Sequence, residues 1–300
     1  MCLNCILYFI TINTMTKLSH KALILFSILS LSSPSVFACI NTYAFELGRG
    51  LSKEDIKEKL AQNLKKPYKT VAQQNDYAVI LIYDGQYKKA IQLLTQLEKQ
   101  HPNLAKTAAN LGTAYELDGQ IEKAKYWISQ GLKRDPNIHH GSEWIHIKIL
   151  DAELAIQKQP DWLKNHDVLG LDFGKKAAPI AHIEKISFNQ KKYDLDQVLE
   201  HSKIQMDQRL KFVNKDPISA QIVFNMANIE VVQYSDEQDT PIFLYDMAGD
   251  LNYQNPKLIH ERKDYLQYSK WYKFKSFTIQ IARGISNLFS HLISEIKQKV

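Results

Sequence analysis

The tripeptide Asp-Gly-Gln occurs twice in the middle of the chain, and the pattern around it is repeated as well. Each member of the pattern returns 34 residues later: the tripeptide Asp84-Gly85-Gln86 as Asp118-Gly119-Gln120, Ala90 as Ala124, and Pro102 as Pro136. Apolar segments precede and follow each tripeptide, which indicates two helices joined by a tight turn. Glycine in the turn can take the left-handed conformation that ends a helix. Such a period restricts the fold to stacked helical hairpins, because one hairpin cannot bury its apolar face alone.

Small and aromatic residues recur at fixed offsets within this period. The second copy has Leu111, Gly112, Tyr115, Ala124 and Pro136, and the first copy has Tyr77, Ala78, Leu81, Ala90 and Pro102. This pattern resembles the tetratricopeptide repeat family over residues 71–136, with the closer match in the second copy. The resemblance implies an all-α solenoid and gives structural roles to Ala90, Pro102, Gly112, Tyr115, Ala124 and Pro136. We expect Gly112 and Ala124 to face each other where two helices cross closely.

Further helices must extend the array, because about three repeats are needed for stability. Ser52 and Asp55 indicate a capped helix start upstream, and Ser142 is a candidate cap for a mostly buried helix over residues 143–158. One period beyond the second copy, Lys158 stands where the alanine is expected. The third repeat has therefore decayed, or it uses only its first helix.

The rest of the chain divides by composition. We assign residues 39–160 to the repeat-containing helical region, 161–185 to an inserted, turn-rich loop, and 186–300 to diverged helical hairpins and an amphipathic C-terminal helix. Asp216-Pro217 and Thr240-Pro241 each resemble a capping residue followed by proline at the first helical position. No strand pattern is evident, so the predicted fold class is all-α, a tetratricopeptide-like solenoid with diverged C-terminal helices.

Residues 1–38 have the features of a secretory signal peptide. Lys17 and Lys21 precede ten apolar or small residues, and a small residue, Ala38, ends the segment. Residues 1–14 precede this compact signal and are interpreted as a start-site artefact. A competing interpretation joins both apolar runs into one anchor, although Lys17 and Lys21 interrupt it.

Cys39 follows the predicted cleavage site directly. It is either the acylated first residue of a lipoprotein or an ordinary thiol after plain cleavage, and the sequence leaves both open. Either alternative predicts an exported protein, periplasmic or tethered to a membrane of the envelope. Cleavage removes two lysines and no carboxylate, so the net charge falls from +6 to +4. That balance does not indicate a nucleic-acid partner.

Two Glu-x-x-His motifs are the candidates for metal chemistry. Glu143 and His146 follow His139 and His140, and a second pair, Glu98 and His101, ends at a repeat boundary. Histidines at turns are usually exposed, so we predict no metal and no cofactor. The chain also has no Gly-x-Ser-x-Gly motif and no phosphate-binding glycine loop, so we predict no enzymatic activity.

One alternative stays open at this stage. A metal-binding protein or hydrolase would have its site in the histidine-containing region 139–185, which includes His166 and His182, because long irregular loops are often functional.

The leading hypothesis is an interaction or assembly scaffold. The resemblance implies that the first helix of each repeat lines a groove that holds a peptide or helix of a partner protein of unknown identity. Carried over to this sequence, the partner-binding positions are Asn75, Val79, Ile82, Lys106, Ala109, Thr113 and Glu116. The set lacks the paired lysines and asparagines with which family members clamp a terminal carboxylate.

The C-terminal segment predicts an amphipathic helix. Its apolar residues recur at steps of three and four: Phe274, Phe277, Ile281, Ile285, Leu288, Leu292 and Ile296. Arg283 near the middle excludes a membrane-spanning helix. The helix either caps the last hairpin or lies on lipid or a partner, where Lys270, Trp271 and Lys273 suit a membrane face. We favour the cap, because burial of seven large apolar residues is worth about 1.5–3 kcal/mol each.

Overall fold

The computed structural model describes residues 52–62, 69–234 and 239–269, together with helical residues at 273–274, 277–278, 281–282 and 284–286. The predicted signal peptide, its cleavage site and Cys39 lie outside the described residues. The described chain is all-α apart from one short β-hairpin. Among the described residues, no helix is both long enough and apolar enough to cross a membrane.

The repeat region is a series of helices that pack on one another in chain order. Its helices are α1 (Lys53–Gln62), α2 (Val71–Tyr83), α3 (Tyr87–Gln100), α4 (Ala105–Leu117) and α5 (Ile121–Arg134). α1 begins with the predicted cap, since the Asp55 amide donates to Ser52 Oγ at 3.0 Å and the Ser52 amide donates to Asp55 Oδ2 at 3.0 Å. The predicted helical hairpins are therefore present.

The two Asp-Gly-Gln tripeptides form the same helix-ending turn. Gly85 and Gly119 have φ values of +73° and +77°, which L side chains rarely adopt. After α2 the Gly85 amide donates to the Ile82 carbonyl, and after α4 the Gly119 amide donates to the Glu116 carbonyl. The amide of the following glutamine donates to the carbonyl of the residue before that acceptor, which is Leu81 in the first copy and Tyr115 in the second. The tripeptide is repeated because each turn needs one glycine to satisfy the last carbonyls of its helix.

Small residues bring α4 and α5 into close contact. A Cβ on Gly112 would lie 2.6 Å from Ile128 Cδ1 and 2.9 Å from the Ile128 amide nitrogen. On the facing helix, a Cβ on Gly131 would lie 3.3 Å from the Ala109 amide nitrogen. Ala124 is fully buried, as expected, but the direct neighbour of Gly112 is Ile128, one turn further along α5. The predicted close crossing is correct and its partner residue was misplaced by one turn.

The second half of the described chain contains two short 3₁₀ turns, a hairpin and five helices. The elements are a turn at Ile138–Gly141, α6 (Glu143–Lys158), a turn at Trp162–Lys164, β1 (Lys185–Phe188), β2 (Lys191–Asp194), α7 (Leu195–Arg209), α8 (Pro217–Ile229), α9 (Asp239–Asp250) and α10 (Pro256–Tyr268). A π-helical turn at Glu230–Tyr234 follows α8. α6 directly follows the two repeats, and the next α-helix along the chain is α7, after the turn at Trp162–Lys164 and the hairpin.

The predicted caps have different outcomes. Asp216 accepts hydrogen bonds from the amides of Ile218 and Ser219, both at 3.2 Å, and so caps α8 as expected. Ser142 does not cap α6, because its hydroxyl instead donates to the His139 carbonyl at 2.6 Å. Thr240 lies inside the first turn of α9 rather than before it.

The β-hairpin contradicts the prediction that the chain has no strands. β1 and β2 are antiparallel with Ile186 opposite Tyr193, and both side chains are buried. Asn189 and Gln190 form the two-residue turn with φ values of +46° and +65°. Tyr193 stacks on Trp144 of α6 with ring centroids 4.5 Å apart. The hairpin is stable because it packs on a helix, which a four-residue strand pair needs.

The segment 161–185 is irregular, as predicted, but its apolar side chains belong to the core. Buried side chains in this segment include Leu163, Val168, Leu169, Leu171 and Phe173. Its polar groups bind α8: Asn225 donates to Asp167 Oδ2 at 2.7 Å, and Gln221 accepts from the Val168 amide at 2.6 Å. Arg262 of α10 donates to the Gly174 carbonyl at 2.7 Å. The segment covers the almost wholly buried helix α8 and is not a free-standing insertion.

The C-terminal apolar stripe does not form the predicted cap in its described part. A capping helix would bury the stripe, yet Phe274, Phe277, Ile281 and Ile285 are 58%, 53%, 47% and 52% exposed. The remaining members of the stripe, Leu288, Leu292 and Ile296, lie outside the described residues. The capping prediction is wrong for the four residues that can be assessed.

Candidate functional site

A groove of about 930 Å³ lies beside the first helices of the two repeats. One wall consists of α2 and α4, and the opposite wall consists of the end of α7 and the turn that follows it. The 3₁₀ turn at Ile138–Gly141 and the start of α6 contribute the remaining surface. The groove therefore has one wall from the repeats and one from the second half of the chain.

Five of the seven predicted partner-binding residues line this groove. They are Val79, Ile82, Lys106, Thr113 and Glu116. On α4 the positions recur at three- and four-residue steps and include Asn110 and Leu117, which sequence reasoning missed. The first wall thus has apolar positions on α2 and mostly polar positions on α4.

Asn75 and Ala109 do not line the groove. Asn75 is buried between α2 and α4, where its side-chain amide donates to Thr107 Oγ1 at 3.1 Å. Ala109 is fully buried against Gly131 of α5. Both residues hold helices together, so their predicted placement on the groove surface is wrong.

The second wall of the groove comes from residues distant in sequence. Phe212 stacks on Tyr83 with ring centroids 5.2 Å apart, and Lys53 Nζ lies 4.5 Å from the centre of the Phe212 ring. The Tyr83 hydroxyl, whose pKa is raised by burial, donates to Gln208 Oε1 at 3.2 Å. These contacts attach the end of α7 to the end of α2. No local pattern indicates them, because the partners are more than a hundred residues apart.

Glu116 is a groove residue whose carboxylate is already paired within the chain. His146 Nε2 of α6 donates to Glu116 Oε2 at 2.6 Å, and His146 Nδ1 lies 3.8 Å from Glu143 Oε1. Burial by itself would lower the pKa of His146, but the Glu116 and Glu143 carboxylates raise it to about 10. Burial would raise the pKa of Glu143, but hydrogen bonds from His139 and His146 lower it to about 2. His146 is therefore an imidazolium at neutral pH, held between two carboxylates.

Arg209 joins this pair to α7 and to the start of α8. Its guanidinium contacts Glu116 Oε1 at 2.5 Å, Glu153 Oε1 at 2.7 Å and Asp216 Oδ2 at 2.9 Å. The four side chains are at most about one-fifth exposed. Burial opposes the charge on Arg209, but the three carboxylates outweigh it and raise its pKa. The same contacts lower the pKa of Asp216, again against the effect of burial. Arg209 thereby fixes the groove wall of α7 to α4, α6 and the start of α8.

Two histidines at the end of the groove have unusual backbone geometry. His139 and His140 have φ values of +48° and +57°, in the left-handed region that side chains normally avoid. The turn places His139 Nδ1 3.0 Å from Glu143 Oε2 and leaves both imidazoles exposed. Gln205 of α7 also donates to Glu143 Oε2, at 3.2 Å.

Both glutamates of the candidate metal motifs, Glu143 and Glu98, are engaged in ion pairs. Among the described residues, no three His, Cys, Asp or Glu side chains are grouped as metal ligands. Glu143 pairs with histidines, and Glu98 accepts bidentate hydrogen bonds from Arg134 at 2.7 and 2.9 Å. His166 is exposed and stacks on Trp162, and His182 is exposed beside Gly174. Neither of these two histidines lines the groove.

Comparison with known proteins identifies the repeats. A family model described as tetratricopeptide repeat matches residues 81–143, which extend from the second half of α2 to the first residue of α6. A comparison with curated proteins gave no match.

Proposed function

We propose that this chain, a tetratricopeptide repeat protein over residues 81–143, is an interaction scaffold that holds an extended segment of a partner protein in its groove. Tetratricopeptide repeats bind protein partners, which supports the general role. One observation carries the specific proposal: five predicted partner-binding residues on α2 and α4 face a single groove of about 930 Å³.

The second wall favours an extended segment over a helix. A helix with its side chains is about 10–12 Å across. The end of α7 already stands on the concave side of the repeats, where Phe212 and Arg209 are fixed to α2 and α4. A full helix would have to displace this wall, and the carboxylates that bind Arg209 would then lose their partner. An extended segment needs no such displacement and can hydrogen-bond through its backbone.

The lining indicates what the segment would offer. Val79, Ile82 and Phe212 give an apolar surface, and Asn110 of α4 supplies an amide that can donate and accept hydrogen bonds. The Thr113 hydroxyl donates to the Ala109 carbonyl at 3.2 Å and so offers a ligand an acceptor. Lys106 is exposed at the rim and suits an acidic group. Glu116 has both carboxylate oxygens occupied, so we assign it to fixing the walls and not to the partner. The expected ligand is an extended peptide with apolar side chains and an acidic residue.

A peptide-display library selected on the purified full chain tests the proposal. Peptides enriched against this chain should bind it with an affinity that falls at least about tenfold in Lys106→Glu and in Thr113→Arg, because both substitutions change the groove surface. Lys133→Glu is the matched control, since Lys133 is exposed on α5 outside the groove. Circular dichroism should show unchanged helicity in all three variants.

Two results would contradict the groove. One is equal binding of the selected peptides to wild type, Lys106→Glu and Thr113→Arg. The other is a loss of binding in Lys133→Glu as large as in Lys106→Glu. Tetratricopeptide repeats are typically not catalytic. The charged groove residues Glu116, His146 and Arg209 are engaged in structural ion pairs, so we propose no reaction here.

We also propose that the protein is exported and that its mature chain begins at Cys39. The support is the basic and then apolar sequence that precedes Ala38. If Cys39 is acylated, wild type should stay in the membrane fraction through a high-salt wash, whereas Cys39→Ser should be released by it. Mass spectrometry of the mature N-terminus separates the two alternatives, because acyl chains add mass and plain cleavage does not. An uncleaved chain would exclude export by this signal.

A further inference from the structure

The C-terminal helix presents large apolar side chains to solvent. Four described members of its stripe are each about half exposed, between 47% and 58%. Soluble proteins rarely expose a contiguous apolar stripe unless it serves an interaction. The sequence continues the same spacing beyond the described residues, with Leu288, Leu292 and Ile296. The four described members of the stripe are separate from the groove, because none of them lines it.

Charge is concentrated in the same segment. Residues 270–300 contain six basic residues and one acidic residue, so they carry +5 of the chain's net charge of +6. The preceding 269 residues are nearly neutral by comparison. An apolar stripe within a strongly basic segment matches the surface of a bilayer, where anionic headgroups cover apolar acyl chains.

The order of residues around the helix strengthens this match. At about 100° per residue, Phe277, Ile281 and Ile285 fall within an arc of about 80°. In the same helical projection, Lys273 and Lys275 flank this arc on opposite sides. Lysines at those positions can keep their ammonium groups among lipid headgroups while the apolar side chains enter the acyl region. Trp271 and Tyr272 precede the stripe, and such aromatic residues favour the membrane interface.

The same charges disfavour a second copy of the chain as the occupant. Pairing two stripes would bring two segments of charge +5 together, at a like-charge cost. Anionic headgroups instead neutralise this charge, and each lysine or arginine near the surface adds to the attraction.

We propose that the described helical residues at 273–274, 277–278, 281–282 and 284–286 lie in the plane of an anionic phospholipid bilayer surface, with Phe277, Ile281 and Ile285 facing the acyl chains. The attachment is independent of the peptide groove and of acylation at Cys39. It would hold the repeat groove close to a membrane.

Sedimentation with lipid vesicles tests the proposal, with Cys39→Ser protein so that acylation plays no part. The full chain should sediment with vesicles of phosphatidylcholine mixed with phosphatidylglycerol and much less with pure phosphatidylcholine. Phe277→Ser/Ile281→Ser should lower the affinity at least about tenfold. Lys273→Glu/Lys275→Glu should lower it by more than about tenfold on the mixed vesicles, and added salt should weaken wild-type binding.

The matched control is Tyr126→Ser, which removes a large side chain that is 56% exposed on α5. It should bind vesicles like wild type. The melting temperature of Phe277→Ser/Ile281→Ser should stay within about a degree of wild type, because the residues are exposed.

Three outcomes would overturn the proposal. Equal binding of wild type and Phe277→Ser/Ile281→Ser, or no binding by wild type, excludes the lipid surface. A marked fall in melting temperature for this variant would mean that the stripe is a cap. A dimer that the same variant dissociates, without vesicle binding, would identify a second copy as the occupant.

Discussion

Where α4 crosses α5 in the repeats, the helices approach through small residues, whereas from α6 to α10 the helices meet through large apolar side chains and buried charges. Gly112 and Gly131 let α4 and α5 approach closely. In the second half a single core cluster extends from Trp144 to Leu266, and Arg209 binds carboxylates from three elements. The repeat contacts are close in sequence, while Arg209 and Glu116 are 93 residues apart. The repeats are therefore sensitive to added volume, and the second half is sensitive to lost charge.

The largest expected effect is on the second half. Arg209→Met leaves Glu116, Glu153 and Asp216 close together without their shared cation, so it should lower the free energy of unfolding by about 3–5 kcal/mol. Urea denaturation followed by circular dichroism measures this change. The groove wall formed by α7 should loosen in the same variant.

Arg134→Met is the matched variant in the repeat region. Arg134 binds one carboxylate, Glu98, so its loss should cost about 1–2 kcal/mol, well below the cost at Arg209. Equal losses in the two variants would show that the number of carboxylates left behind does not decide the cost. The proposed contrast between the halves would then fail.

The next largest effect tests the sensitivity of the repeats to volume. Gly112→Ala adds a methyl group that would lie 2.9 Å from the Ile128 amide nitrogen, so the two helices must move apart. We expect a loss of about 1–3 kcal/mol in the free energy of unfolding. Thermal unfolding should show a lower midpoint than in wild type.

Gly131→Ala is the control for this substitution. Its nearest neighbour would lie at 3.3 Å, a contact that a small shift relieves, and alanine favours helix by about 1 kcal/mol over glycine. Gly131→Ala should therefore cost clearly less than Gly112→Ala. If the two substitutions cost the same, the closer contact at Gly112 does not limit residue size in this repeat.

The smallest effect concerns pH and the His146 pair. The pKa of His146 is about 10 in the folded chain against an ordinary value of 6.5, so folding favours its protonated form. The stabilisation is complete below about pH 6.5 and is lost as the pH rises towards 10. We expect the free energy of unfolding of wild type to fall by about 1–2 kcal/mol between pH 6.5 and 8, as measured by urea denaturation.

His146→Gln should flatten this loss, although it also lowers stability at every pH. The neighbouring groups are Glu116, Glu143 and Arg209, which keep their charges across this range because their pKa values lie outside it. His140→Gln, at an exposed histidine of the nearby turn, should keep the wild-type slope. Parallel pH profiles for wild type and His146→Gln would contradict the assignment.

The repeat hairpins could be predicted because their determinants are local. Each determinant is a sequence pattern within one 34-residue unit: a glycine that must be left-handed, a small residue at a helix crossing, and an apolar period. The groove wall of α2 and α4 follows from that period, and five of the seven residues predicted for it line the groove. Asn75 and Ala109 were misplaced, because a shift of about 100° around a helix separates a groove position from a buried one.

The β-hairpin could have been found from its own residues. Ile186 and Phe188 alternate with polar residues, and Asn189 follows them at a turn. The short length of each strand hid this signal. Its stability comes from the stacking of Tyr193 on Trp144, 49 residues earlier, and no local sequence pattern indicates that contact.

By itself, the sequence determined the helical hairpins, their turns and the amphipathic, basic character of the C-terminal segment, because each depends on residues within a few helical turns of one another. Only the tertiary structure decided that α7 forms the second wall of the groove, that Glu116 serves an ion pair, and that the C-terminal stripe is exposed in its described part. Each of these depends on which distant surfaces meet. That choice follows from the balance of burial and charge pairing over the whole chain, which no short segment contains.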